Sequence, residues 1–95
     1  MFILAVPVSA ASGTMKLNKT RVSMYVTEST TLKVLDSRGR TKTASWRSSN
    51  TRIATVRNGV VTAKKAGTVT ITATSNGIKR SCKVTVRGDW YQKVL

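Results

Sequence analysis

The sequence predicts an all-β fold: a two-sheet antiparallel β-sandwich of about seven strands, held together without a disulfide. Three observations predict it. The 95-residue chain is 40% hydrophobic but only 5% aromatic, and its apolar side chains are mostly Val, Ile and Ala set among many Thr. Branched and small residues suit a pleated, half-buried surface, whereas a helical bundle would draw on the Leu, Met, Glu and Gln that are sparse here. Apolar and polar residues alternate with a period of two in short runs, as strands with one buried face require. Turn signals separate these runs at the close spacing of a sandwich. A chain of this length supplies one core and no second.

The elements follow in order. Residues 16–18 and 22–26 make a broken first strand. In residues 30–35, Leu32 and Val34 share one face while Thr31 and Lys33 share the other. Residues 43–47 put Ala44 and Trp46 together, so Trp46 is expected to be buried. Residues 53–56 and 60–63 are short strands. Residues 68–74 turn Val69, Ile71 and Ala73 inward between threonines. Residues 78–87 close the domain, with Cys82, Val84 and Val86 inward and Lys79, Lys83 and Arg87 outward.

The joins sort these strands into sheets. Asn58-Gly59 and Asn76-Gly77 each separate two β runs, and Asn-Gly is the strongest short hairpin signal because both central residues need φ > 0. The joins at residues 36–42, 48–51 and 64–67 lack it. In an Ig-type sandwich the two hairpins fall within sheets and the other three joins pass between them. Trp46 lies on the strand where Ig domains bury a tryptophan. The antibody-type disulfide is replaced by aliphatic residues, among them Leu32, Val34, Val69 and Ile71. Cys82 has no partner cysteine and shares its side of the strand with Val84 and Val86, so it is expected to be a small buried hydrophobe.

The residue inventory argues against an enzyme. The chain has no histidine, one cysteine and three carboxylates, namely Glu28, Asp36 and Asp89. Zinc and calcium sites need clusters that this set does not supply. Paired glycosidic acids and a Ser/His/Asp arrangement are equally out of reach. The reading is therefore non-enzymatic, with no cofactor and no metal ligands.

Residues 1–13 read MFILAVPVSAASG, a short apolar run followed by a small-residue site. This matches the second half of a secretory signal peptide, with a disordered leader or a first strand as the alternative. The run is too short to span a bilayer, and no other segment is apolar enough to be transmembrane. A secreted or cell-surface location follows. Residues 14–88 form the domain, and residues 89–95 are read as a C-terminal tail or linker.

With the motifs in view, residues 17–86 resemble the bacterial Ig-like domain of group 2. The resemblance rests on Leu17-Asn18-Lys19-Thr20, Trp46-Arg47-Ser48-Ser49-Asn50 and Ile53-Ala54-Thr55-Val56. It continues through Gly59-Val60-Val61-Thr62-Ala63-Lys64-Lys65-Ala66-Gly67, Thr70-Ile71-Thr72-Ala73 and Cys82-Lys83-Val84-Thr85-Val86. Glu28 departs from it, standing where the family often has a glycine-containing turn. The resemblance implies a spacer, stalk or adhesion module of a bacterial surface protein, as in intimin- and invasin-like adhesins, or a decoration module of a phage tail. It implies neighbouring Ig-like domains in a longer parent, and no catalytic residues. The calcium binding proposed for some members is not expected from three scattered carboxylates.

Charge raises a second reading. Lys plus Arg number 17 against 3 acidic residues, a formal net charge of +14. Such a field attracts polyanions. Lys79, Lys83 and Arg87 share an outward face, and Arg47 should lie on the same sheet, forming a candidate polyanion-binding face. Arg38, Arg40 and Lys42 crowd the join at residues 36–42. The alternatives are a solvated coat that prevents edge pairing and a docking surface for anionic polymers or glycans of a cell wall or host surface: teichoic acid, mucin or DNA. Specific nucleic-acid recognition is not expected, because no aromatic stacking platform interleaves with the charge. Arg87, Gly88 and Asp89 spell an integrin-type tripeptide, a short motif of a kind that recurs by chance.

Overall fold

The computed structural model describes residues 15–88, and these are all-β. The leader at residues 1–13, the tail at 89–95 and Asp89 of the tripeptide lie outside the described residues. The strands are β1 (Lys16–Leu17), β2 (Arg21–Tyr25), β3 (Ser29–Thr31), β4 (Val34–Leu35) and β5 (Thr41–Lys42). They continue with β6 (Ser45–Ser48), β7 (Ala54–Arg57), β8 (Val60–Ala63), β9 (Gly67–Ser75) and β10 (Ile78–Arg87). Two principal sheets have the orders β2-β10-β9-β6 and β3-β8-β7, and a small third sheet runs β1-β4-β5.

Both Asn-Gly signals become hairpins within sheets. Asn58 and Gly59 join β7 to β8, with φ of 50° and 85°, and Asn76 and Gly77 join β9 to β10, with φ of 51° and 80°. The joins after β6 and after β8 pass between the principal sheets, as the sequence predicts. Ser48, Ser49 and Asn50 shape the first of these by side-chain bonds to backbone. The Ser48 hydroxyl donates to the Ala54 carbonyl at 2.7 Å, the Ser49 hydroxyl accepts from the Thr70 N–H at 2.9 Å, and Asn50 Oδ1 accepts from the Arg52 N–H at 3.0 Å.

Three details of the strands differ from the sequence-based expectation. The join at residues 36–42 is a hairpin between β4 and β5 and does not itself change sheets. Asp36 closes it by accepting the Arg38 and Arg40 N–H groups at 2.8 and 2.9 Å, and the sheet change follows at Thr43 and Ala44. The expected strand at residues 30–35 is interrupted at Leu32 and Lys33, whose N–H groups go to the Gly59 carbonyl and to Asn18 Oδ1, each at 2.7 Å. Finally, β2 runs parallel to β10, so the sandwich is not wholly antiparallel.

The core fills the space between the principal sheets. Met24, Val69, Ile71, Ala73, Cys82 and Val84 face it from the four-stranded sheet, and Ala54, Val61 and Ala63 from the three-stranded one. Met15, Leu17, Leu32 and Val34 close one end. Cys82 is free and fully buried, as expected. Trp46 is not. It packs against this cluster but is only half-buried, because β6 is an edge strand and its ring also lines an inter-sheet groove of about 260 Å³.

The turn at Glu28 accounts for a missing glycine. Thr27 adopts φ of 81°, a conformation that favours glycine. Its neighbour holds the turn: Glu28 Oε1 accepts the Tyr25 N–H at 2.7 Å, and the Glu28 N–H donates to the Tyr25 carbonyl at 3.0 Å.

Candidate polyanion-binding face

The outer surface of the four-stranded sheet is built by strand alternation. In β10, Lys79, Ser81, Lys83, Thr85 and Arg87 point away from the core because their neighbours Cys82, Val84 and Val86 point into it. On β9 the outward positions are Thr68, Thr70, Thr72 and Thr74, and on β6 they are Ser45 and Arg47. Register fixes what sits beside what. Lys79, Thr74 and Ser45 form one cross-strand row, Ser81, Thr72 and Arg47 the next, and Lys83 and Thr70 the third.

All four cations singled out by sequence thus lie on one sheet face. They do not converge on a point. Lys79 and Arg87 are eight residues apart on one strand, about 26 Å at the usual rise, so the face is a track and not a pocket. Arg47 and Lys79 share a depression of about 430 Å³.

One cation was missed. Arg21 of β2 stands directly beside Lys83 in the parallel register, and on the same side Arg87 pairs with Tyr25. No local signal marks this, since parallel partners are distant in sequence. With Arg21 the face carries five cations. Among the described residues none of them is in a salt bridge.

The opposite face is different. The outward positions of β3, β8 and β7 are Ser29, Thr31, Val60, Thr62, Thr55 and Arg57, a single cation. Val60 is the one large hydrophobic side chain exposed among the described residues, at 41%. At the end of the sandwich, Arg40 Nε pairs with Asp36 Oδ2 at 3.1 Å, which partly neutralises the basic loop. The Arg40 amide first, then that of Arg38 and the Arg40 guanidinium, hold the Asp36 carboxyl below the ordinary carboxylate range against some desolvation.

Burial pushes the Cys82 thiol up, opposed only by the charge of Lys19, so thiolate is suppressed. The described residues contain no group of three or more potential metal ligands. They contain no helix long and apolar enough to cross a membrane.

The comparisons with known proteins agree with this architecture. The family described as bacterial Ig-like domain (group 2) matches residues 11–86. Among solved structures, the chain is similar to the S-layer protein rSbsC(31-844), with 26% identity and a TM-score of 0.65 over 78% of this chain. It is likewise similar to domains 5-6 of the S-layer protein SbsC, with 25% identity and a TM-score of 0.65 over 78% of this chain. It spans 12% of the first of those chains and 43% of the second. No curated protein sequence matches closely enough to count as similar.

Proposed function

Because the chain belongs to the bacterial Ig-like group 2 family, we propose that it is a non-enzymatic structural module of a bacterial cell-surface or secreted protein, which lies against an anionic surface polymer through its basic sheet face. Residues 14–88 are the module, residues 1–13 an export leader, and residues 89–95 a link to a neighbouring domain of a longer parent. The likeness to single domains within S-layer proteins supports the structural role. One observation carries the docking role. The four-stranded face presents five cations and the three-stranded face one. Like charges set in register on one sheet face offer an extended partner a continuous track, and a field of one sign concentrates an oppositely charged partner. Arg87 belongs to this face as a cation, and the tripeptide it begins needs no separate role.

Co-sedimentation with bacterial cell-wall fragments tests the reading. The domain is expected to pellet with intact walls and to stay in solution with walls stripped of their anionic polymer. Equal recovery on both preparations would contradict it.

A further inference from the structure

We propose that the depression between β6 and β10 seats one repeat of a phosphodiester-linked polyol chain, fixing the register of the polymer along the basic face; this rests on the docking role above. The depression is lined by Ser45, Trp46, Arg47, Thr72, Thr74, Lys79 and Ser81. Its two cations stand at opposite corners. Lys79 is on β10 and Arg47 is on β6 one row further along, with the threonines of β9 between them. Adjacent rows are about 7 Å apart and adjacent strands about 4.8 Å, so flexible side chains of this length reach a single anion from both sides. No carboxylate lines the site to compete.

The chemistry of the lining selects among polyanions. The Arg47 guanidinium offers a planar fork suited to two oxygens of a phosphate, and the Lys79 ammonium adds a point charge. The other polar groups are hydroxyls, which both donate and accept. Thr72 Oγ1 and Ser81 Oγ already lie 3.4 Å apart, as neighbours able to share one further hydroxyl. A chain alternating phosphate with free hydroxyls uses both kinds of group. Polyphosphate would use these hydroxyls only as donors and leave their acceptor lone pairs without a partner. A single-stranded nucleic acid would want rings to stack on, whereas the Trp46 ring packs against the core and Tyr25 stands beside Arg87, at the far end of the track from this depression. The track continues through Lys83 and Arg21 in the third row, giving the next phosphate along the chain its own pair.

Titration calorimetry of the mature domain with poly(glycerol phosphate), inorganic polyphosphate and single-stranded DNA, matched in charge and salt, tests this. Two variants accompany the wild type. Thr72→Val with Thr74→Val removes hydroxyls while keeping β-branched side chains that suit a strand, and Arg47→Lys keeps the charge but loses the fork. The wild type is expected to bind the polyol polymer tightest. The double valine variant is expected to lose about tenfold on that polymer, the equivalent of one or two hydrogen bonds, and to lose less on polyphosphate, which uses the hydroxyls as donors only. Arg47→Lys is expected to lose affinity for both phosphate polymers. If the wild type binds all three polymers alike and the valine variant matches it, the subsite is wrong while the docking face stands. If the wild type binds none of them, both fall. Tighter binding of DNA than of the polyol overturns the subsite alone.

Discussion

The hairpin at Asn58 and Gly59 joins two strands of the three-stranded sheet, and the hairpin at Asn76 and Gly77 joins two of the four-stranded sheet. Their backbones are nearly the same. Their surroundings are not. The Gly59 carbonyl accepts the Leu32 N–H at 2.7 Å, and a Cβ there would strike the Leu32 carbonyl oxygen and lie 3.3 Å from Cζ2 of Trp46. A Cβ on Gly77 would meet nothing within 4 Å. The outer faces of the two sheets differ as well, one nearly uncharged and the other lined with cations. The three-stranded sheet spends its special residues on holding the sandwich shut. The four-stranded sheet leaves both its hairpin and its surface free.

The largest expected effect breaks the first half of that comparison. Gly59→Ala adds backbone strain to a clash with main-chain atoms that cannot step aside, and should cost about 3–4 kcal/mol or more. Gly77→Ala carries the strain alone and should cost about 1–2 kcal/mol. Urea unfolding of both variants checks the ratio. Equal losses would mean that the Leu32 contact is not what distinguishes the turns.

Which parts of this were legible in the sequence follows from the range of the forces involved. Alternation and turn chemistry are local, so the inward set around Ile71 and Val84 and both Asn-Gly hairpins could be read directly. The cations of β10 were legible for the same reason. Arg21 was not, because its neighbour Lys83 is reached only through a parallel pairing with no sequence-local mark. Alternation marks Trp46 as inward, but its half-exposure depends on β6 being an edge, which is a property of the assembled sheet. The break at Leu32 and Lys33 was hidden too, since their N–H groups find partners in Gly59 and Asn18, far along the chain. The switch of sheets at Thr43 has no local mark either, because the turn closed by Asp36 returns the chain within its own small sheet first.

Smaller effects sharpen the second half of the comparison. Lys79→Glu with Lys83→Glu on one face, and Arg57→Glu on the other, should each leave stability within about 0.5 kcal/mol of wild type, since none of these side chains enters the core. A large loss from the lysine pair in thermal unfolding would show that the basic face is part of the fold. The smallest expected effect is in the loop at the end of the sandwich. Asp36 is held below the ordinary carboxylate range, so its contribution is complete above that range and is lost as the pH falls through the lowered value. Asp36→Asn should therefore lose less stability than wild type between about pH 6 and about pH 2. Identical acid profiles would remove the role given to that carboxylate.

The docking role of the four-stranded face is tested most directly by the salt dependence of binding to a polyol-phosphate polymer. If each contact releases counterions as in a single-stranded phosphodiester, the slope of log K against log salt is about −0.7 per contact. Five contacts from Arg21, Arg47, Lys79, Lys83 and Arg87 then give about −3.5. Removing two with Lys79→Glu and Lys83→Glu should bring the slope to about −2.1 and weaken binding, while Arg57→Glu should keep it near −3.5. If the lysine variant and Arg57→Glu instead show the same slope and the same affinity, the polymer does not distinguish the two faces, and the charge is a solvated coat.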